Sequence, residues 1–521
     1  MKKTSSPNFM AVALACGLTF VSEVALTASE LVGPFVPVGP PASVQESKNR
    51  MTPPKTPLPP VRLKGPKHGG VKIGQSYDGI NFFDSSCGCL PPDTNAAVGN
   101  NFVVETVNVQ IRIFDKTTGS VLFDEPLAQF FGESSAGDPY VVYDDNADRW
   151  YVTAFDSTAQ GLFLAVSFGG NPLQGFHTYH LTEVGGFPDY PKLGFNRDAI
   201  FISYNDFGPG GDVSATIASI DKAAALSGTL NYFVSHPAFQ FRAMPPAQMH
   251  KDHKSDFERH EDHEGAFGRY ENPKGGLESH KDIEESFEKH KDHKDHKGGV
   301  EWFVSTDGTD EGGNTIRVTR MTNYLSNTPN FTYTSLPVKE YRYAQSAEQP
   351  GGTITTFPNT TTTQVHYHNG RLVTAMASST AADGFIYPKG LYYQIDVNGK
   401  TPRLIKEGVI DPGQGVAVQM PSVAEDQQGN LGLTWMESSN DEYLSMWVGN
   451  VDPNGNFSAQ QAAPGLGFFF LNFRIGDYST IVVDPSDGKT FWAANEYIGS
   501  DGDSNIWRTH ITSFRAGHRQ R

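Results

Sequence analysis

Residues 137–156 read G-D-P-Y-V-V-Y-D-D-N-A-D-R-W-Y-V-T-A-F-D. The aromatic and β-branched run 140–143 predicts a buried strand, 144–149 are polar turn formers, and 150–155 return to strand-forming residues. One acid, Asp138, stands just before the first strand, and another, Asp156, just after the second. A hairpin brings its two open ends side by side, so this stretch predicts two carboxylates on one edge.

The same phrase recurs on both sides of the hairpin. Upstream stand P-P-D-T-N-A-A-V-G and V-Q-I-R-I-F-D; downstream come D-Y-P-K-L-G-F with A-I-F-I-S-Y-N-D-F, then V-H-Y-H-N-G-R-L-V-T-A-M, M-P-S-V-A-E-D and G-D-Y-S-T-I-V-V-D-P. Starts near Asp93, Asp138, Asp189, Gln364, Gln419 and Asp477 are separated by roughly 45 to 60 residues where no insertion intervenes, the period of a four-stranded propeller blade. The expected fold is therefore all-β: a single β-propeller over 80–521, of seven four-stranded blades, with six as the alternative because the fourth unit is interrupted. A pair of sandwiches is the rival, but it does not call for a repeated acid–strand–turn–strand–acid phrase.

Four of these phrases, P-P-D-T-N-A-A-V-G, G-D-P-Y-V-V-Y-D-x3-D-R-W, F-P-D-Y-P-K-L-G and G-D-Y-S-T-I-V-V-D-P, make the chain resemble a group of largely uncharacterised secreted bacterial β-propeller proteins, distantly like the sialidase-type propellers. The resemblance runs from about Pro91 to Phe514. It implies the fold and export, and no particular chemistry.

Composition agrees with many short strands: 53 Gly, 34 Pro and 12% aromatics against 19% charged residues. The formal charge of −17 argues against nucleic acid and favours cationic partners or groups. Residues 1–28 have the order of a signal peptide: Lys2 and Lys3, a short apolar core at 11–21, and Leu26-Thr27-Ala28. This predicts a secreted or periplasmic protein, or one held at the cell surface, with no transmembrane segment. Residues 29–79, rich in Pro and Gly, read as an extended linker. The two cysteines after the signal form C-G-C at 87–89, open to either a disulfide or two free thiols.

In a propeller, the loop entering the innermost strand and the loop leaving the second strand lie on the same face. On that basis Asp93, Asp138, Asp156, Asp189, Glu437, Asp477 and Glu496 are expected around one mouth of the central channel. Carboxylates crowded in this way repel one another unless a cation or a ligand's positive group sits among them, and hard oxygen donors suit Ca²⁺. The plainer role of each Asp is to cap its own turn. Tyr140, Tyr190, Tyr478 and Trp435 are candidates for the same mouth, and Trp150, Trp302, Trp447, Trp492 and Trp507 for the core.

Residues 250–297 break the pattern. They carry eight of the chain's 16 histidines and almost no branched aliphatics, so they cannot bury a core of their own. The segment is an internal duplication, H-K-D-H-K-S-D-F-E-R-H-E-D-H against H-K-D-I-E-E-S-F-E-K-H-K-D-H. His250, His253, His260, His263, His290, His293 and His296 recur at a spacing of three, which would align imidazoles on a helical face for Zn, Cu or Ni. Otherwise they are solvated and merely titrate.

Three functions are compatible with these residues. The first is a binding module for a glycan or an extracellular protein ligand at the acidic mouth. The second is a glycoside hydrolase using a carboxylate pair there. The third is transition-metal binding by the histidine-rich insertion. The sialidase phrase S-x-D-x-G-x-T-W is missing, S-D-G-K-T-F-W at Ser486 being a compressed imitation. No G-x-S-x-G elbow, H-E-x-x-H helix or phosphate loop occurs, which leaves the binding module ahead. Deleting 250–297 is expected to leave the melting temperature little changed; a large fall in calorimetry would show that the insertion packs on the propeller.

Overall fold

The computed structural model describes residues 70–158, 161–210, 212–240, 242–251, 299–306, 312–343, 346–355, 361–380, 384, 386–469, 474–501 and 504–517. Residues 1–69 and 252–298 lie outside them, and with them the expected signal peptide, most of the expected linker and residues 252–297 of the expected insertion.

The described chain is nearly all strand. After β1 (Lys72–Asn81) come β2 (Asn95–Val98), β3 (Phe102–Val107), β4 (Gln110–Asp115) and β5 (Val121–Pro126), then the short helix α1 (Leu127–Phe131). The opening hairpin forms β6 (Gly137–Asp144) and β7 (Arg149–Asp156), followed by β8 (Gly161–Ser167) and β9 (Phe176–Leu181). Next are β10 (Phe187–Phe195), β11 (Ala199–Phe207), β12 (Val213–Asp221), helix α2 (Lys222–Leu226) and β13 (Tyr232–Ser235). The interrupted unit supplies β14 (Ala247–Met249), β15 (Glu301–Thr306), β16 (Gly312–Thr322) and β17 (Asn330–Arg342). A small hairpin, β18 (Ser346–Gln349) and β19 (Gly352–Thr355), precedes β20 (Val365–His368), β21 (Arg371–Thr380), β22 (Lys389–Asp396) and β23 (Arg403–Ile410). The chain closes with β24 (Val416–Glu425), β25 (Leu431–Ser439), β26 (Glu442–Val451), β27 (Phe457–Ala463), β28 (Thr480–Val483), β29 (Phe491–Asp501) and β30 (Ser504–Arg515).

Strands β2–β5, β6–β9 and β24–β27 form separate four-stranded antiparallel sheets in chain order. The runs β10–β13 and β20–β23 have the same order, and β14 joins them into one larger sheet by pairing in parallel with both β10 and β20. The first strands touch one another in chain order, β2, β6, β10, β14, β20, β24 and β28, and β28 meets β2. That closed ring makes the fold a β-propeller and excludes the sandwich pair. Apolar clusters fill the spaces between neighbouring sheets: Val104, Ile113, Trp150 and Val152 join the first two, and Val373, Ile410, Leu433 and Trp447 join β20–β23 to β24–β27. The five tryptophans expected in the core are all buried.

One expectation changes at the N-terminal boundary. The composition predicts a linker as far as residue 79, but β1 begins at Lys72 and pairs antiparallel with β30, completing the last sheet in the order β1-β30-β29-β28. K-I-G-Q-S-Y-D-G lacks the prolines of the preceding stretch, so its amides can enter a ladder. β1 also grips the first sheet. The Ile80 amide donates to Glu105 Oε2 at 2.8 Å, and a Cβ at Gly79 would come within 2.4 Å of the Glu105 carboxylate, so a side chain there would have to push that carboxylate aside. Cys87 and Cys89 are placed side by side as a disulfide.

The entrances to the first strands share an unusual backbone. Asp93, Asp138, Tyr190, Met420 and Asp477 all have positive φ, between 42° and 88°. In β6, β10 and β24 the register shifts at the same place, after Gly137, Asp189 and Gln419. A bulge of this kind re-aims the side chains beside it. The recurring phrase therefore encodes a kinked entry, and not only a strand.

A chain beginning at Phe82 loses β1, uncovers the edge of β30 and removes the amide donor to Glu105. Its melting temperature is expected to drop by several degrees in calorimetry, far more than on deleting the insertion; equal effects would show that closure does not depend on β1.

Candidate binding site at one end of the ring

Five of the seven expected acids gather at one end of the ring: Asp93, Asp138, Asp189, Asp477 and Glu496. Asp93 feels the charges of Asp138, Asp477 and Glu496, and Asp189 that of Asp477. All five are buried, Asp189 being the most open at 8%. The expected open mouth is therefore largely packed. Tyr190 and Tyr478 reach across the ring: the Tyr190 hydroxyl donates to the Asp477 carbonyl at 2.6 Å and the Tyr478 hydroxyl to the Pro191 carbonyl at 3.1 Å. Their rings lie 4.7 Å apart, and Tyr140 meets Tyr478 edge-on at 5.6 Å.

Positive charge comes from the protein itself. Arg474 binds Asp477 through two nitrogens, Nε to Oδ1 at 2.9 Å and Nη2 to Oδ2 at 2.5 Å, the fork geometry that suits a carboxylate. Lys192 Nζ sits 3.6 Å from the Tyr190 ring centroid and 4.9 Å from that of Tyr478, where the ring faces attract a cation. Burial pushes the Lys192 amine down to about 7, against the pull of Asp477, Asp138 and Asp189. Neither role was read from the sequence. Lys192 stands inside the quoted F-P-D-Y-P-K-L-G, and a lysine in an innermost strand was the available signal.

Burial dominates the acids as well. It raises Asp93 well above the usual carboxylate range, with Asp138 and Asp477 adding to the effect. It lifts Asp189 to about 7 and Glu496 to about 8, the latter opposed by the hydrogen bond from Thr94. Thr94 Oγ1 donates to Glu496 Oε1 at 2.9 Å and Asn108 Nδ2 to Asp93 Oδ2 at 2.7 Å. Among the described residues, Asp93 Oδ1, Asp189 Oδ1, Glu496 Oε2, Lys192 Nζ and both amide atoms of Gln419 are buried with no hydrogen-bond partner.

The other expected site residues lie elsewhere. Asp156 is occupied with its own turn: Oδ1 accepts from the Thr158 amide and hydroxyl, both at 2.8 Å, and Oδ2 meets His180 Nε2 at 3.2 Å. Glu437 faces Glu442 and not the ring axis. Trp435 Nε1 donates to Glu437 at 2.9 Å and Trp447 Nε1 to Glu442 at 3.0 Å. Residues of the second strand reach the correct end of the sheet, but alternation puts the Glu437 side chain on the same face of β25 as Trp435, which packs against the neighbouring sheet. Trp435 is likewise buried in the wall.

His250 follows the exit of β14, the opposite end of a first strand from the acids. It contacts Asp145 at 3.2 Å and stacks 5.8 Å from His366. His253, His260, His263, His290, His293 and His296 lie outside the described residues. Among the described residues, no group of three or more His, Cys, Asp or Glu is placed to hold a metal ion.

No family model and no curated protein matches the chain. Solved structures resemble it at low identity. U3-55K is 11% identical with TM-score 0.39, over 85% of this chain and 98% of that one. A subtype N10 neuraminidase-like protein of A/little yellow-shouldered bat/Guatemala/060/2010 is 9% identical with TM-score 0.36, over 74% and 98%. An ulvan lyase of polysaccharide lyase family PL25 is 9% identical with TM-score 0.28, over 76% and 95%. The propeller assignment rests on the chain's own strand pairings.

These shifts fix a pH dependence. Between the ordinary carboxylate range and about pH 8, Asp189 and Glu496 hold protons in the folded state that the unfolded chain releases, so their contribution to stability falls as pH rises. Lys192 acts oppositely, adding stability as pH rises from about 7 toward the ordinary lysine range. Glu496→Gln is expected to flatten the decline in melting temperature between about pH 5 and 8. An unchanged slope in thermal melts would show that Glu496 is not charged at a cost in the fold.

Proposed function

We propose that the chain is an exported β-propeller of seven four-stranded blades serving as a binding module. Its acidic end, formed by Asp93, Asp138, Asp189, Asp477 and Glu496, receives a glycan or an extracellular protein ligand rich in hydroxyl or cationic groups. The count of seven takes β14–β17 as the interrupted blade and β28–β30 with β1 as the last. Export is inferred from the order of residues 1–28. Among the described residues, no helix is long and apolar enough to cross a membrane.

One observation carries the reading: several buried polar atoms at one end of the ring have no described partner, Asp93 Oδ1, Asp189 Oδ1, Glu496 Oε2 and the Gln419 amide among them. Buried polar groups are normally satisfied, so such a concentration favours a place where an incoming hydroxyl, amine or water completes the bonds. Asp189, the most exposed of the five acids, is the proposed point of first contact. Arg474 already supplies positive charge beside Asp477, so Ca²⁺ at this end would add to a cation that the protein carries. Its binding would appear as a melting temperature lowered by EDTA and restored by Ca²⁺.

A glycan array together with a panel of glycosidase substrates tests the proposal on the purified full chain. Binding without turnover is expected, weakened about tenfold or more by Asp189→Asn, which removes the carboxyl that meets the ligand. Turnover that Glu496→Gln or Asp138→Asn abolishes would replace the binding module with a glycoside hydrolase.

A further inference from the structure

The pairing of β1 with β30 brings together three residues that take no part in the acidic end. His510 of β30 lies opposite Asp78 of β1 in the ladder. Its Nδ1 is 3.0 Å from Asp78 Oδ1, and its Nε2 is 2.7 Å from Ser76 Oγ. Ser76 and Asp78 are two residues apart on one strand and so share a face. Tyr77 between them turns the other way and packs toward Phe114 and Trp492.

These contacts determine the direction of the hydrogen bonds. An ionised Asp78 only accepts, so His510 Nδ1 carries the proton toward it, which leaves neutral Nε2 as the acceptor of the Ser76 hydroxyl. The Asp78 carboxyl is held below its usual range, chiefly by the hydrogen bond from His510 and also by one from Tyr497. The buried Tyr497 hydroxyl donates to Asp78 Oδ1 at 3.0 Å and fixes that carboxylate. Ser76 is exposed while His510 is buried at 8%, so the hydroxyl is open to a reactant and the imidazole behind it is constrained. A hydroxyl on a neutral imidazole that a carboxylate orients in turn is the arrangement that activates a serine nucleophile.

We propose that Ser76, His510 and Asp78 form a serine-nucleophile site that transfers the acyl group of a carboxylic ester to water. Ser76 Oγ attacks the ester carbonyl carbon as its proton passes to His510 Nε2. The tetrahedral adduct expels the alcohol, which takes that proton, and leaves an acyl-serine. Water, deprotonated by His510, then attacks the acyl carbon; the carboxylic acid departs and Ser76 recovers its proton. Asp78 is a positioning residue that keeps Nε2 as the base. β1 is the outer strand of its sheet, so part of its amide row faces away from β30 and can meet the developing oxyanion.

The site is separate from the acidic end. In β29, Glu496 and Tyr497 are successive residues and point to opposite faces of the sheet. The proposal therefore stands or falls independently of the glycan-binding reading.

The full chain treated with a fluorophosphonate probe is expected to form an adduct at Ser76, located by mass spectrometry, with fluoride displaced by Oγ. Hydrolysis of p-nitrophenyl acetate is expected to fall about 100-fold or more in both Ser76→Ala and His510→Gln. Asp78→Asn should lower kcat with KM and melting temperature nearly unchanged, and Asp78→Glu should recover part of the rate. Absence of an adduct at Ser76, or ester turnover unaffected by Ser76→Ala, overturns the proposal. A lowered melting temperature in Ser76→Ala, together with no adduct on the unsubstituted chain, would make the three residues a staple of the edge strand, and overturns it equally.

Discussion

The ring closes at one seam, where β28 meets β2 and β1 pairs with β30. A sheet has two edges, and each edge offers unpaired amides and carbonyls to whatever strand comes near. Here β1, from the N-terminal side of the repeats, becomes the fourth strand of a sheet whose other strands lie at the C-terminal end. The two ends of the repeat region are joined without a covalent bond. The Ile80 amide on Glu105 and the lack of a side chain at Gly79 then fasten that strand to the first sheet. The contacts among the acids across the ring presuppose that this seam is closed.

With closure in place, charges from distant segments must share a small, dry volume. The protein answers this mainly with its own groups. Arg474 neutralises Asp477 in two-point contact, Lys192 stands over the Tyr190 face, and the carboxyls of Asp93, Asp189 and Glu496 are biased toward their protonated forms. A lysine whose burial favours the neutral amine and acids whose burial favours the neutral carboxyl are two results of one desolvation effect. The two tyrosines that bond backbone carbonyls across the ring close the space in which that effect operates. The same crowding that isolates these groups leaves several of their oxygens with hydrogen-bonding capacity in reserve.

The recurring entry phrase shows how closely local and global requirements agree. Positive φ is unfavourable for most side chains, yet it recurs at Asp93, Asp138, Tyr190, Met420 and Asp477. Aspartate tolerates that region better than tyrosine or methionine, so the acids that looked like ligands also serve the backbone. Asp156 makes the point from the other side: its carboxylate is occupied with Thr158 and His180, and its place in the repeated phrase reflects turn chemistry.

Alternating apolar strands, turn residues and a period near fifty were enough to determine the all-β class, the propeller and the position of most strands, because these features depend on neighbours close in the chain. The clustering of Asp93, Asp138, Asp189, Asp477 and Glu496 was legible for the same reason: each marks an equivalent point in a repeated unit. Lys192, Arg474, the diversion of Glu437 toward Glu442, and the role of 72–79 as a strand were decided only by tertiary structure. So was the meeting of Ser76 and Asp78 with His510, more than 400 residues away. Local pattern specifies which end of a sheet a residue occupies, but the direction of its side chain and the partner it meets follow from bulges, strand alternation and ring closure, which no short stretch contains.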